Sequence, residues 1–262
     1  GMAATGTIEQ SIELEPIFDS LHAKKARKYN FRISSTDFRN ALREVDGAFL
    51  RYSNGYILFL NPSIKEYVAG LICSDHHTSQ DLWDSLLRFK QLITLWRLAL
   101  QKPDGALAAH IHDLGSAFFD RMMILLDAPY AGWGKSKEGA ATVRIIDCEI
   151  GARLNFVAEY CNEVRNSDQT EAACSAMRKI VSEWKATDFS CSNAPRFLEA
   201  LASREWFMSN GGVEIYQLAV EKMLGELQFA TAATWCEILD LREASGHWRA
   251  EYDDWVDRAF GE

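Results

Sequence analysis

The segment from Phe31 to Val68 constrains this chain more than any other. Leu50-Arg51-Tyr52 and Tyr56-Ile57-Leu58-Phe59-Leu60 flank Ser53-Asn54-Gly55. An Asn-Gly pair between two β-prone runs predicts a tight hairpin, because both central turn positions need positive φ. Ahead of it, Phe38, Leu42, Val45 and Phe49 recur at helical spacing behind Ser34-Ser35-Thr36, whose hydroxyls are N-cap candidates. Behind it, Asn61-Pro62-Ser63 ends the strand and opens a helix, since proline has no N–H for a ladder yet fits the first helical turn. Two caps are available there: Ser63 with Glu66 as a capping box, or Asn61 as N-cap with Pro62 at the first helical position.

The remainder reads as helical. Ile8 to Tyr29 predicts one or two helices ending in the basic run His22 to Lys28. From Ser79 onward, Leu82, Leu86, Phe89, Ile93, Trp96 and Leu100 form one apolar stripe. Pro103-Asp104-Gly105 is a turn, and Leu107, Ile111, Leu114, Phe118, Met122 and Leu125 form a second stripe. Asp127 to Gly139 reads as an exposed interhelical loop before a third stripe, Val143, Ile146, Ile150, Leu154, Val157 and Cys161. Shorter helices follow over 173–184 and 197–207, Asn210-Gly211-Gly212 breaks the chain, and Val213 to Leu227 resumes it. The expected fold is mostly α: a winged helix with a short β-hairpin over residues 1–75, followed over 76–262 by an all-α bundle or short α-solenoid. The boundary is expected near Cys73 to Thr78, with the two parts packed together.

Charge narrows the function classes. Residues 1–75 carry nine basic and nine acidic groups, whereas residues 76–262 carry 19 and 28, the whole of the net −9. An acidic body argues against wrapping nucleic acid, and the sequence shows neither a signal peptide nor an apolar run of membrane-spanning length. Gly1-Met2 reads as a cloning glycine before a start methionine, which would make the chain a complete gene product. Cys73, Cys148, Cys161, Cys174, Cys191 and Cys236 lack Cys-x-x-Cys pairing and mostly sit in apolar stripes, as expected of reduced core cysteines in a cytoplasmic protein.

Four constellations invite chemistry, and none of them sustains it. Ala131-Gly132-Trp133-Gly134-Lys135-Ser136 resembles the end of a phosphate-binding loop, but the position that needs the first glycine is Pro129. His110 and His112 diverge by about 200° on a helix, so one metal does not take both easily. Asp75-His76-His77, at the expected boundary, reads as an interdomain polar cluster. The acids around Asp253, Asp254 and Asp257 belong to the wet face of a helix whose buried face holds Tyr252 and Trp255. No catalytic residue, cofactor or metal is assigned. The strongest binding candidate is the basic run Lys24, Lys25, Arg27 and Lys28, with Arg39 and Arg43 on the next helix and Arg51 on the hairpin. Asp37, Glu44 and Asp46 on the same helix oppose phosphate contact.

Ala41-Leu42-Arg43-Glu44-Val45-Asp46-Gly47-Ala48-Phe49-Leu50 through Phe59-Leu60-Asn61-Pro62-Ser63-Ile64-Lys65-Glu66-Tyr67-Val68 resembles the winged-helix segment of bacterial STAND-class NTPases. In that family an aromatic, Asn-Pro-Ser, an acidic residue and an aromatic open the helix after the hairpin; here Phe59, Asn61, Pro62, Ser63, Glu66 and Tyr67 fill those places. The resemblance spans some 40 residues. It implies a winged helix that restrains an ATPase until a helical sensor binds ligand. No nucleotide-binding domain precedes residue 30, so it implies a carboxy-terminal regulatory part or the product of a split gene, and ATP hydrolysis is not carried over. The expected function is a non-enzymatic regulatory and protein-interaction module. Its docking turn would be Asn61, Pro62, Ser63 and Glu66, and its partner a separate NTPase subunit or a peptide. The competing expectation is a winged-helix nucleic-acid-binding protein.

Overall fold

The computed structural model describes residues 8–128, 131–135, 142–183, 194–225, 232–244 and 246–261. The fold is mostly helical and divides into two compact units, Gly1–Asp147 and Cys148–Glu262. The division by packing therefore lies at 147/148. The boundary expected near residue 75 falls inside the first unit.

The first unit opens with β1 (Ile8–Gln10), α1 (Ser11–Tyr29) and α2 (Asp37–Val45), then β2 (Leu50–Ser53), β3 (Tyr56–Phe59) and α3 (Pro62–Ser74). The expected hairpin is present, with Leu50 opposite Phe59, Ser53 opposite Tyr56, and Asn54 and Gly55 both at positive φ. β1 was not expected; it pairs antiparallel with β3 and makes a three-stranded sheet of order β1-β3-β2. Leu14, Ile17 and Ile57 are buried together, and Phe38, Leu42, Leu50 and Phe59 pack against them. Thus α1 and α2 cover one face of the hairpin, because each alone leaves an apolar stripe wet.

Two local expectations change here. α2 ends at Val45, so Phe49 lies beyond the helix and is 56% exposed. The Ser34-Ser35-Thr36 hydroxyls do not cap α2: Thr36 occupies the N-cap position without a side-chain bond to the helix backbone, and the Asp37 carboxylate instead accepts from the Ser34 N–H at 2.8 Å.

α3 turns into α4 (His76–Asp84) at Asp75, whose carboxylate accepts from the Thr78 N–H at 2.9 Å, while Ser79 Oγ donates to the Ile72 carbonyl at 2.8 Å. The stretch 73–78 is a packed helical corner. Asp75-His76-His77 accordingly lies within one unit. The stripe expected from Leu82 to Leu100 is broken: α4 stops, and α5 (Phe89–Gln101) begins with its own cap. Leu92, Leu95 and Ala99 are buried there, whereas Leu100 is exposed. α6 (Ala106–Leu114) and α7 (Ser116–Leu126) carry the second stripe, with Leu107, Ile111, Phe118, Met122 and Leu125 buried and Phe118 stacked on Trp83 and tilted against Trp96.

The expected loop over 127–139 is corrected, as is the start of the third stripe. Ala131–Lys135 is β4 and Thr142–Ile146 is β5, an antiparallel pair from Ala131 opposite Ile146 to Lys135 opposite Thr142. Thr142-Val143-Arg144-Ile145-Ile146 is rich in β-branched residues, which fit a pleated strand better than a helix. Gly134 and Lys135 sit in strand register; Ser136 lies outside the described residues.

The second unit, among the described residues, is all helical: α8 (Ile150–Val164), α9 (Ser167–Ser182), α10 (Ala194–Ala202), α11 (Glu205–Phe207), a π-helical turn at Met208–Gly212, α12 (Val213–Gly225), α13 (Ala232–Ala244) and α14 (Asp253–Gly261). α9 packs on α12, and α10 packs on α8, α12 and α13. The expected break at 210–212 is a kink with Gly211 at φ 110°, and a Cβ on Gly212 would lie 2.6 Å from the Phe207 ring. At the end of the chain Tyr252 is buried, but Val256 takes the inner position expected of Trp255, which is 43% exposed.

Candidate docking surface

Between the two cap readings of the Asn-Pro-Ser turn, the structure takes the second. Asn61 has extended φ and ψ, its Oδ1 accepts from the Ser63 N–H at 2.9 Å, and Pro62 starts α3. Glu66 is exposed and is no part of the cap. The turn is locked to the hairpin by the Leu60 N–H donating to the Phe49 carbonyl at 3.1 Å. This bond sets Phe49 beside Leu60, and both are exposed. Tyr67 and Leu71, one turn apart on α3, are exposed as well, Tyr67 at 72%. Large apolar side chains are thus exposed at the turn and along the helix that it opens.

The outer edge of β2 is not free to add a strand. The Gly47 N–H donates to the Leu50 carbonyl at 2.8 Å, and Asp46 Oδ1 accepts from the Tyr52 N–H at 2.9 Å. The α2–β2 connection covers this edge with its own polar groups, a common protection against edge-to-edge pairing. Contacts at this end of the unit are therefore left to side chains.

The basic run splits into two sets. Lys24 pairs with Asp84 and lies 3.9 Å from Asp81, and Lys25 lies 3.8 Å from Asp81, so both lysines serve the α1–α4 contact. Partial burial pulls the Lys24 ammonium below its ordinary pKa, with Asp81 acting in the opposite direction. Arg27 and Lys28 remain exposed at the end of α1, and Arg39, Arg43 and Arg51 are exposed on α2 and β2. Asp37 is held by the Ser34 N–H and by His22 at 2.8 Å, which keep its carboxyl below the usual range.

The other constellations take structural roles. His110 is 9% exposed with its ring edge-on to His76 at 5.3 Å, whereas His112 is exposed. Burial pulls His110 below the ordinary histidine pKa, followed by the influence of His76. Among the described residues no three His, Cys, Asp or Glu side chains are grouped to hold a metal ion. Cys73, Cys161 and Cys174 are buried, and burial pushes the Cys161 thiol up to about 12 and Cys174 up to about 11, which suppresses thiolate chemistry. Cys148 is half-buried, Cys236 is exposed, and Cys191 lies outside the described residues. Among the described residues no helix is long and apolar enough to cross a membrane.

Sequence reasoning missed Phe49, Tyr67 and Leu71 as surface residues, since apolar residues at helical spacing are ordinarily assigned to the core. It also missed a buried charge network in the same unit. Glu13 accepts from Arg88 Nη1 at 2.9 Å and from Lys90 Nζ at 3.2 Å, and Arg88 Nη2 donates to the Glu13 carbonyl at 2.9 Å. No local signal marks partners 75 residues apart. No family model matches this chain, and no curated protein or solved structure matches it either.

Proposed function

We propose that this protein is a non-enzymatic docking and control module. Its first 75 residues act as a winged helix that presents the Asn61-Pro62-Ser63 turn to another protein. The observation that carries this reading is the exposed apolar set of Phe49 and Leu60 at a turn pinned by its own cap, with Tyr67 and Leu71 along the helix it opens. Exposed large apolar groups on a rigid frame are what a protein partner buries at little entropic cost. The strand ahead of α1 that closes on the hairpin supports the winged-helix reading, as does the packing of α1 and α2 on one sheet face. The resemblance to the STAND winged-helix segment makes a P-loop NTPase subunit the expected partner, with the helical second unit in the sensor's place. Duplex binding through α2 is the weaker reading: Lys24 and Lys25 are occupied by Asp81 and Asp84, and α2 with its C-cap carries Asp37, Glu44 and Asp46.

The test is photo-crosslinking in cells of the source organism from benzoylphenylalanine placed at position 67. An adduct with a P-loop NTPase that disappears in the Leu60→Ser, Leu71→Ser variant, with the helical circular-dichroism signal retained, is the expected result. An adduct unaffected by those changes, or none at all, would overturn the docking role of this turn.

A further inference from the structure

Between Asp19 and Asp37 the chain carries Lys24, Lys25, Arg27, Lys28 and Arg32 and no carboxylate. Two of these cations are turned to α4, as described above. The other three, Arg27, Lys28 and Arg32, are exposed, and among the described residues no carboxylate pairs with them. They are interleaved with Tyr29, 63% exposed, Phe31 and Ile33, all large and all open to solvent.

The stretch has a defined conformation. α1 ends with Asn30 at φ 54°, and the Phe31 N–H donates back to the Ala26 carbonyl at 3.1 Å, the six-to-one bond of a Schellman cap. The Phe31 ring rests against His22 at 5.1 Å, which itself bonds Asp37, and Asp37 takes the Ser34 N–H. Both ends of the connection are thereby tied to α1 and α2. Lys28 Nζ lies over the Tyr29 ring, 5.5 Å from its centre, a cation–π contact that keeps the cation and the aromatic together.

We infer that this α1–α2 connection is a binding platform for single-stranded nucleic acid. Arg27, Lys28 and Arg32 would hold phosphates, and Tyr29, 63% exposed, would offer a base the ring face away from Lys28. Cations that follow a backbone beside an exposed aromatic are the sequence-tolerant way of holding single strands, because every base has a π-face. A duplex keeps its bases stacked and gives Tyr29 nothing to stack on. A membrane surface is disfavoured because Phe31 is docked on His22, which limits how far the connection can insert. The inference is independent of the protein-docking turn, which involves other residues.

The test is fluorescence anisotropy of the full chain with labelled oligo(dT) and oligo(rU) of about 20 nucleotides, a length that spans more than one contact set. With three phosphate contacts, affinity is expected to fall about 20-fold between roughly 50 and 200 mM salt. Arg27→Ala, Lys28→Ala and Arg32→Ala together should remove most binding and nearly all of its salt dependence. Tyr29→Ala should weaken binding about tenfold, with Tyr29→Phe retaining it. The Lys24→Ala, Lys25→Ala variant should change affinity less than twofold. Circular dichroism on every variant separates lost binding from lost fold. The inference is overturned by no binding up to about 100 μM protein at low salt, or by equal binding to a duplex of the same length. It is equally overturned if anionic phosphatidylglycerol vesicles, and not the oligonucleotides, are bound through these residues.

Discussion

Glu13 and Arg88 supply the most demanding test of how the first unit is held together. Each side chain is 9% exposed, and they meet through a charge-assisted bond of 2.9 Å with Lys90 Nζ at 3.2 Å from the same carboxylate oxygen. The guanidinium also serves the Glu13 carbonyl, so Arg88 joins the first turn of α1 to the start of α5 by two bonds. Replacing Glu13 with leucine leaves Arg88 buried without its counter-ion, which should destabilise the unit by about 3–5 kcal/mol. Replacing Arg88 with methionine strands the carboxylate, although Lys90 retains part of the attraction, so about 2–4 kcal/mol is expected. The double variant Glu13→Leu, Arg88→Met removes both desolvation penalties together and should lie within about 2 kcal/mol of the parent. At about 2–4 °C per kcal/mol for a chain of this size, the Glu13 variant should melt about 6–20 °C lower and the double variant should recover most of that loss. Urea titration of all four proteins by circular dichroism closes the cycle, and hydrogen exchange over α1 and α5 localises the effect to the first unit. Losses below about 1 kcal/mol for both single variants, or a double variant as unstable as the sum of the two, would refute the claim that this pair acts as a buried unit.

Two further outcomes follow from the site geometry. Asn61→Ala removes the only side-chain cap of α3 and should destabilise the protein by about 1 kcal/mol, read as a shift in urea midpoint, with Asn61→Asp close to neutral. His110 has a folded pKa below the usual histidine value because burial opposes its charged form. The unfolded chain therefore takes up the proton first, and stability holds above pH 6.5 but falls as pH drops through that value. A melting temperature that declines from pH 7.5 to 5, with a shallower decline in His110→Phe, is expected; identical slopes would remove His110 as the cause.

Local sequence alone determined the hairpin and the start of α3. Asn54-Gly55 needs two positive φ angles, and few residue pairs tolerate them, so the turn is legible without any partner. Asn61-Pro62 is equally self-contained, a cap and a missing donor within two residues. Helical periodicity likewise located α6, α7 and the later part of α8, where the apolar stripe is the face that becomes buried. Periodicity misled where a strand and a helix meet: Val143, Ile146 and Ile150 satisfy helical spacing, yet β4 pairs with 142–146.

What tertiary structure decided was everything that depends on distant partners. Leu82 to Leu100 reads as one stripe, but Gln91 accepts from the Leu87 and Arg88 N–H groups, and the Asp147 carboxylate accepts from the Phe89 and Lys90 N–H groups at 2.7 and 3.0 Å. A new helix start is thereby capped from 57 residues away. The same holds for the site. The basic run is continuous in sequence, but Asp81 and Asp84 on α4 take Lys24 and Lys25 and leave Arg27, Lys28 and Arg32 open. Phe49, Tyr67 and Leu71 look like core residues until the packing leaves them in water. Turns and caps are short-range chemistry and can be read along the chain. Which charge is spent and which apolar face stays open are set by elements that meet only after folding.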